Sequence, residues 1–199
     1  MNKNFAQLRK MTRNIRGAPA AAVSFFLLGT LSGNPCYAAD AASFASDGVS
    51  FEVGSGNGAE MWRLGITKNW DRKWLATGNW HLGGYWEAQI GQWSGSDTRT
   101  INDLGLTPVF RFQQTEPSKI SPYVEAGIGA HVITPTMLDD SRHFGSAFQF
   151  GDLAGAGARF GPKGKYDLGM RFEHLSNGGI KKPNNGINFT QLRFVYHLD

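Results

Sequence analysis

A histidine and a serine two residues apart, His174 and Ser176, are of the types that acyl transfer requires. On a β-strand, residues two apart point to the same face, with their Cα atoms about 6.5–7 Å apart. An imidazole nitrogen can therefore reach the serine oxygen and take its proton, which makes the oxygen a nucleophile. The alternative is that a histidine and a serine happen to close a strand before a turn, because no G-x-S-x-G nucleophile elbow accompanies them.

The segment after Ser176 is rich in hydrogen-bond donors. It contains the adjacent glycines Gly178 and Gly179, and Asn184 follows in the same segment. Backbone amides and a side-chain amide placed there can stabilise the oxyanion of a tetrahedral intermediate. Asparagine and glycine are also the residues that tight turns use, and this simpler explanation stays open.

The pattern of the chain predicts that strands position these residues. From Asp47 onward, apolar and polar residues alternate and turn clusters recur at fairly even intervals, with no helical period. We predict eight strands, at Gly48–Gly54, Glu60–Asn69, Trp80–Trp93, Thr100–Gln113, Ser121–Ile133, Gly145–Phe160, Lys165–Asn177 and Asn188–Leu198.

The first 38 residues have the order of a secretory signal peptide. Basic residues without any acidic residue come first, the apolar run Ala18–Leu31 follows, and small residues lead up to Ala38. This order predicts cleavage after Ala38 and leaves residues 39–199 as one domain. The apolar run is shorter than the ~20 residues that span a bilayer. Cleavage after Ala41 and an uncleaved anchor are the alternatives.

The chain beyond this leader is close to neutral. The leader holds five of the 20 Lys and Arg residues and none of the 16 Asp and Glu residues, so residues 39–199 contain 15 basic and 16 acidic residues. This balance gives no support to nucleic acid as a partner. The only cysteine, Cys36, lies in the leader, so the exported domain cannot be a disulfide scaffold.

Two kinds of fold produce one-sided alternation. A soluble, lipocalin-like barrel turns its apolar face inward, whereas an outer-membrane barrel turns that face to lipid and fills its interior with polar side chains. The leader, the long strands and the tryptophans near strand ends favour the second. We therefore predict an all-β fold, an eight-stranded antiparallel transmembrane β-barrel of the outer-membrane type. Its interior is predicted to hold an ionic network of Arg63, Glu87, Arg111, Glu125, Arg159, Arg171 and Glu173.

The seventh predicted strand places His174 and Ser176 on the lipid-facing side. They continue the outward row of Tyr166, Leu168, Met170 and Phe172. A polar pair at the end of a lipid-facing row is costly unless it has a use or lies near the interface. With a periplasmic N-terminus this strand ends at the cell surface, so the pair is predicted at the boundary of the outer leaflet. The lipid of that leaflet is lipopolysaccharide, whose lipid A carries ester-linked acyl chains, so the geometry indicates a lipid esterase. Lys181 and Lys182 are predicted to contact lipid A phosphates, or else to lie in a solvated loop.

The run HLSNGGIKKPNNGIN at residues 174–188 resembles the signature of the lipid A 3-O-deacylase family, PagL. Less specific similarity covers most of the chain after the leader, including GYWEA from Gly84, PVF from Pro108 and YVEAGIGA from Tyr123. The resemblance implies an eight-stranded outer-membrane barrel with a Ser-His-acid triad on its outer wall. It also implies hydrolysis of the ester at the 3-position of lipid A, without a metal or cofactor.

Matched position by position, the resemblance assigns roles to five residues. It implies Ser176 as the nucleophile and His174 as its base. It implies Asn184 and the backbone amide of Gly179 as the oxyanion hole, with Asn177 supporting the site.

The chain departs from the family at the triad acid, because Asn188 stands where a glutamate is implied. In the interpretation we favour, the amide oxygen of Asn188 orients His174, as an asparagine does in Cys-His-Asn proteases. In a second, another acid replaces the glutamate; Glu173 is nearest in sequence, but its strand parity points it into the barrel. The acids that remain are Asp139, Asp140 and Asp152. In a third, the enzyme is weak or inactive, because an Asp-to-Asn change in a serine protease triad lowers kcat about 10⁴-fold.

The sequence also bears on functions other than that of an esterase. No H-E-x-x-H motif is present, so no metal or cofactor site is expected, and the remaining histidines are scattered at His81, His131, His143 and His197. Two rival functions stay open: a non-enzymatic eight-stranded barrel that acts as an adhesin or stabilises the membrane, and a lipid A acyltransferase. A homodimer paired along the outer wall is a further expectation that the sequence does not decide.

Overall fold

The computed structural model describes residues 46–95 and 98–198. The predicted signal peptide, residues 1–38, lies outside the described residues. Within the described ranges, no helix is both long and apolar enough to cross a membrane.

Eight long antiparallel strands form the body of the protein. They are β1 (Gly48–Gly56), β2 (Ala59–Asn69), β4 (Trp80–Ser94), β5 (Ile101–Gln114), β6 (Ile120–Thr134), β9 (Phe148–Phe160), β10 (Tyr166–Ser176) and β11 (Ile187–His197). Each pairs with two neighbours, and the pairing of β2 with β4 closes the sheet into a ring. The predicted eight-stranded antiparallel barrel is therefore confirmed, and a closed barrel leaves no strand edge unpaired in the bilayer.

Short elements that the sequence pattern did not predict lie in the loops. They are β3 (Trp74–Thr77), which pairs with β4, the hairpin of β7 (Met137–Asp139) and β8 (Arg142–His143), and a 3-10 turn at Pro162–Gly164. The chain enters β1 and leaves β11 at one end of the barrel, where Gly48 pairs with His197. The β10–β11 loop and the β7–β8 hairpin lie at the opposite end.

The barrel is apolar outside and polar inside, which confirms the membrane type over the soluble type. On β10, Leu168, Met170 and Phe172 are 44–60% exposed, whereas Arg171 and Glu173, which alternate with them, are buried. Because successive side chains of a strand point to opposite faces, this alternation turns every apolar row toward lipid.

The middle of the interior contains the predicted ionic network. The guanidinium of Arg171 lies 2.5–2.7 Å from carboxylate oxygens of Glu52, Glu87 and Glu125. Arg63 pairs in the same way with Asp103 and Glu173. Arg111 pairs with Glu125 and Asp167. Arg159 lies near the end of the barrel, where its Nε donates to the carbonyl of Gly164. A buried charge is tolerated only when it is paired, and these side chains pair with one another.

Above the ionic network, an apolar cluster fills the end of the barrel that carries the β10–β11 loop. Its members are Ala59, Met61, Trp93, Ile101, Ile133, Leu138, Phe144, Leu175, Ile187 and Phe189, which are all buried. Leu138 and Phe144 come from the β7–β8 region rather than from the barrel strands. The hairpin thus packs over the barrel end and brings the loop between β6 and β9 close to the end of β10.

Candidate active site

His174 and Ser176 are the outward-facing residues at the end of β10. Leu175 between them is fully buried in the apolar cluster, which fixes the face that its two neighbours occupy. Both are half-buried, and they follow the lipid-facing Phe172. The structure thus places the pair on the outer wall, at the barrel end opposite the start of β1 and the end of β11.

Asn188 on β11 holds the ring of His174. The two residues are directly paired between the strands, and Nδ1 of His174 lies 2.6 Å from Oδ1 of Asn188. An amide oxygen can only accept, so this bond requires a proton on Nδ1 and leaves Nε2 as the basic nitrogen. The backbone amide of Asn188 in turn donates to Oδ1 of Asn57 in the β1–β2 turn, at 2.8 Å.

Gly186 lies against the imidazole of His174, where a side chain would crowd the ring. A Cβ at this position would lie 3.0 Å from Cε1 and 3.4 Å from Nε2 of His174, and the residue has a φ of 61°. Glycine adopts this backbone conformation without strain, and it leaves the space that the ring occupies. Arg142 of β8 donates to the carbonyl of Gly186 at 2.7 Å, which fastens the loop beside the ring.

Asn177 organises the loop that follows the serine. Its side-chain nitrogen donates to the carbonyls of Phe144 and Lys181, both at 2.7 Å, and its side-chain oxygen accepts from the amide of Gly179 at 2.9 Å. Its backbone amide donates to Oδ1 of Asn184 at 3.0 Å. The side-chain oxygen and nitrogen of Asn177 therefore both have partners, in the loop itself and at Phe144 beside β8, which is a structural basis for the supporting role expected of Asn177.

The donors near Ser176 are the backbone amide of Gly178 and the side chain of Asn184. The Gly178 amide points at Oγ of Ser176 at 3.4 Å. Since Oδ1 of Asn184 accepts from Asn177, its amide nitrogen faces away from that bond and has no partner among the described residues. The amide of Gly179 donates to Asn177 here, so its expected contribution to an oxyanion hole stays a prediction.

The hydroxyl of Ser176 is not bonded to the imidazole of His174 in this structure, and the Gly178 amide is its partner among the described residues. Catalytic hydrogen bonds are often long in an enzyme without substrate and tighten when substrate binds. The shared face and spacing of the two side chains remain those of a nucleophile and its base.

The β7–β8 hairpin supports the site, although no motif or spacing predicted this. The amide of His143 donates to Oδ1 of Asn185 at 3.1 Å, and the amide of Asn185 donates back to the carbonyl of His143 at 3.3 Å. Gly145 packs so closely that a Cβ there would lie 2.3 Å from the carbonyl of Pro183. Apart from Oδ1 of Asn185, these loop-to-loop contacts involve backbone groups, which carry no residue-type signature.

The acids considered for the triad lie in different places. Glu173 faces the interior, where it bonds to Arg63 and Gln191. Asp139 accepts from the amide and hydroxyl of Ser141 in the hairpin. Asp152 of β9 is exposed on the outer wall, directly opposite His174. Lys181 and Lys182, expected at the substrate, are exposed in the β10–β11 loop.

Comparison with known protein families gives a match over most of the barrel. The family model described as Lipid A 3-O-deacylase (PagL) matches residues 60–197. A lipid A deacylase PagL of Pseudomonas aeruginosa is 37% identical over 148 residues, which cover 73% of this chain and 83% of that relative. A lipid A deacylase PagL of Bordetella bronchiseptica is 37% identical over 139 residues, which cover 69% of this chain and 70% of that relative.

A solved structure gives the same result for the fold. The crystal structure of the outer membrane enzyme PagL matches with a TM-score of 0.70 and 34% sequence identity, over 76% of this chain and 99% of that chain. The matched family region contains the whole of β10, the loop after it and β11, which together carry His174, Ser176 and Asn188.

Proposed function

Because this chain belongs to the lipid A 3-O-deacylase (PagL) family and is an outer-membrane barrel, we propose that it hydrolyses the ester at the 3-position of lipid A with Ser176 as nucleophile and His174 as base. The observation that carries the proposal is the outward-facing pair at the end of β10, with the ring of His174 held by Asn188. A site on the outer wall opens to the bilayer, so a membrane lipid reaches it without leaving the leaflet.

The first step forms an acyl-enzyme. Nε2 of His174 takes the hydroxyl proton as Oγ of Ser176 attacks the ester carbonyl carbon. The proton on Nδ1 stays bonded to Asn188, which keeps the ring in the productive tautomer. When the tetrahedral intermediate collapses, the bond to the 3-oxygen of the sugar breaks and the imidazolium returns its proton to that oxygen. Lipid A leaves with a free 3-hydroxyl group.

The second step releases the fatty acid. Nε2 of His174 takes a proton from water as the water oxygen attacks the acyl carbon. When this second tetrahedral intermediate collapses, the bond to Oγ of Ser176 breaks and the imidazolium returns the proton to Oγ, which restores the free serine. In both steps the negative oxygen lies near the amide of Gly178 and the side-chain nitrogen of Asn184. Donors that are fixed before the reaction stabilise this charge without any reorganisation.

Lipid A is expected to bind along the outer wall beside β10. The apolar rows of the neighbouring strands suit acyl chains. Lys181 and Lys182 are exposed in the β10–β11 loop that follows Ser176, and we propose that they contact the phosphates of lipid A. The pairing of two barrels along the outer wall stays a prediction.

Mass spectrometry of lipid A tests the reaction. Purified protein in detergent micelles, incubated with hexa-acylated lipid A, is expected to release one 3-hydroxy fatty acid and leave a penta-acylated product. Transfer of an acyl chain from added phospholipid to lipid A would instead identify an acyltransferase. Lipid A of unchanged mass would favour a barrel without enzymatic activity.

The role of Asn184 predicts the effect of an isosteric change. Asn184→Asp keeps the oxygen that accepts from Asn177 but replaces the donor nitrogen by a second oxygen. Loss of one oxyanion donor lowers kcat about 10²–10³-fold in a serine hydrolase, so a loss of at least this size is expected in the deacylation assay. Asn102→Asp, on the outer wall of β5 at the same barrel end, is the matched control. Equal activity of the two variants would remove Asn184 from the mechanism.

The leader predicts the mass of the mature protein. We propose that residues 1–38 are removed on export, since they have the order of a signal peptide. Protein isolated from the outer membrane is expected to begin at Ala39, as measured by intact mass and N-terminal sequencing. A protein that keeps its first 38 residues would contradict the proposed cleavage.

A further inference from the structure

We propose that Asp152 is a positioning residue that stabilises protonated His174, in place of the acid that Asn188 does not supply. This inference rests on the proposed function, because it concerns the base of that same reaction. It adds a negative charge from β9 to a site whose other members come from β10, β11 and the loop between them.

The strand register places Asp152 beside the imidazole. On one side His174 is directly paired with Asn188 of β11, and on the other it is directly paired with Asp152 of β9. Side chains that are directly opposite on one face have Cβ atoms about 4.5–5.5 Å apart. The ring therefore stands between a neutral amide and a carboxylate, on the same outward face of three adjacent strands.

The surroundings of Asp152 are unfavourable for a carboxylate without a function. Its outward neighbours along β9 are Phe150 and Ala154, and its partner on β6 is Ile128, which is 63% exposed toward lipid. Its carboxylate has no hydrogen bond or ion pair within the described ranges. A charged side chain on a lipid-facing wall is costly, and such residues mark functional positions. The imidazolium that forms on His174 is the compensating charge that the register brings to it.

The amide of Asn188 explains why a second group is needed. Its oxygen orients the ring, but it has no charge to balance the imidazolium that forms when the serine proton is taken. A carboxylate nearby favours the charged form of the ring and so lowers the barrier to that step. Asp152 meets this requirement without a direct hydrogen bond, because charge interactions are only weakly screened next to lipid.

The other charged groups around the ring do not provide this balance. Arg142 of β8 is bonded to the carbonyl of Gly186, and Lys181 and Lys182 are in the β10–β11 loop. All three side chains are cationic, so they cannot stabilise a positive charge on His174. β11 presents Asn188 and, next along the outward row, Thr190, which are neutral. Glu173 points into the interior and bonds to Arg63. Among the described residues that surround His174 on the outer wall, Asp152 is thus the acid.

The first experiment removes the charge and keeps the shape. Asp152→Asn is expected to lower kcat about 10–100-fold with little change in KM. The acid limb of the pH–rate profile is expected to move to lower pH by about one unit, because loss of a nearby negative charge makes the neutral base persist at lower pH. A residue that only packs the wall would not move this limb. Glu60→Gln, an exposed acid on β2 at the same barrel end, is the control, and it should change neither quantity.

The second experiment supplies the acid at the other side of the ring. Asn188→Glu places a carboxylate beside Nδ1 of His174, where the amide oxygen of Asn188 is now. Because this carboxylate also stabilises the imidazolium, Asp152→Asn in the Asn188→Glu background is expected to lower kcat less than threefold. The inference would be overturned if Asp152→Asn lowered kcat equally in the unmodified and the Asn188→Glu backgrounds. It would also be overturned if the Asp152→Asn protein kept full activity and an unshifted acid limb. If the unmodified protein is active and Ser176→Ala is not, such a result refutes the role of Asp152 alone. An unmodified protein that releases no acyl chain overturns the proposed function and this inference together.

Discussion

Ser176→Ala is expected to abolish release of the 3-linked acyl chain while the barrel still folds. The substitution removes the oxygen that forms the acyl-enzyme, and nothing else at the end of β10 carries a nucleophile on the same face. Removal of the nucleophilic serine lowers kcat by about 10⁶-fold in a serine protease, so product should fall below detection in a mass-spectrometric time course of lipid A. The hydroxyl accepts one long bond, from Gly178, so its loss should leave the loop in place.

The control for this prediction is Ser94→Ala. Ser94 is also exposed on the outer wall at the same barrel end, but on β4, away from β10. Both variants should keep the shift in gel mobility on heating that a folded outer-membrane barrel shows. Substantial deacylation by the Ser176→Ala protein would mean that another group, or an activated water, attacks the ester.

Arg171→Met is expected to destabilise the barrel more than any change on its outer wall. The guanidinium of Arg171 balances Glu52, Glu87 and Glu125 at once, and it also donates to the hydroxyl of Tyr85. A methionine of similar length removes the charge and leaves three buried carboxylates without it. Breaking a buried ion pair costs about 3–5 kcal/mol, and a loss of that size or larger is expected in the free energy of unfolding. Urea unfolding in lipid vesicles, followed by tryptophan fluorescence, measures it.

Lys68→Met provides the comparison on the surface. Lys68 pairs with Asp47 at 3.0 Å, but its side chain is 47% exposed. An exposed pair contributes about 0–1 kcal/mol, so this variant should unfold at nearly the urea concentration of the unmodified protein. Similar stabilities of the Lys68 and Arg171 variants would contradict a stabilising role of the interior network.

The sequence predicted the barrel and the outward position of the site, because both follow from apolar and polar residues that alternate with a period of two along each strand. On β10, alternation alone assigns Arg171 and Glu173 to the interior and His174 and Ser176 to the wall, and the structure agrees. Strand ends were less accurate, since the predicted Gly145–Phe160 begins in the structure only at Phe148. The alternation of apolar and polar residues continues into loop residues that are not hydrogen-bonded to a neighbouring strand. The pattern therefore does not mark where the hydrogen bonding between strands ends.

The alternation of apolar and polar residues did not predict the register between strands or the contacts between loops. That Asp152 stands opposite His174 depends on the exact pairing of β9 with β10, and a slip of one residue would turn it to the other face. The contacts of Arg142 and His143 with the β10–β11 loop depend on how a separate hairpin packs over the barrel end. Such contacts pair a side chain of one segment with the backbone of another that is far away in the chain, and no local spacing predicts them.

The apolar cluster at the mouth of the barrel has a consequence for the cell. Trp93, Leu138 and Phe144 are all fully buried there, and paired charges are packed beneath them, so the described residues block the lumen with side chains. A Gram-negative cell can therefore insert many copies of this enzyme without opening a route for antibiotics or bile salts.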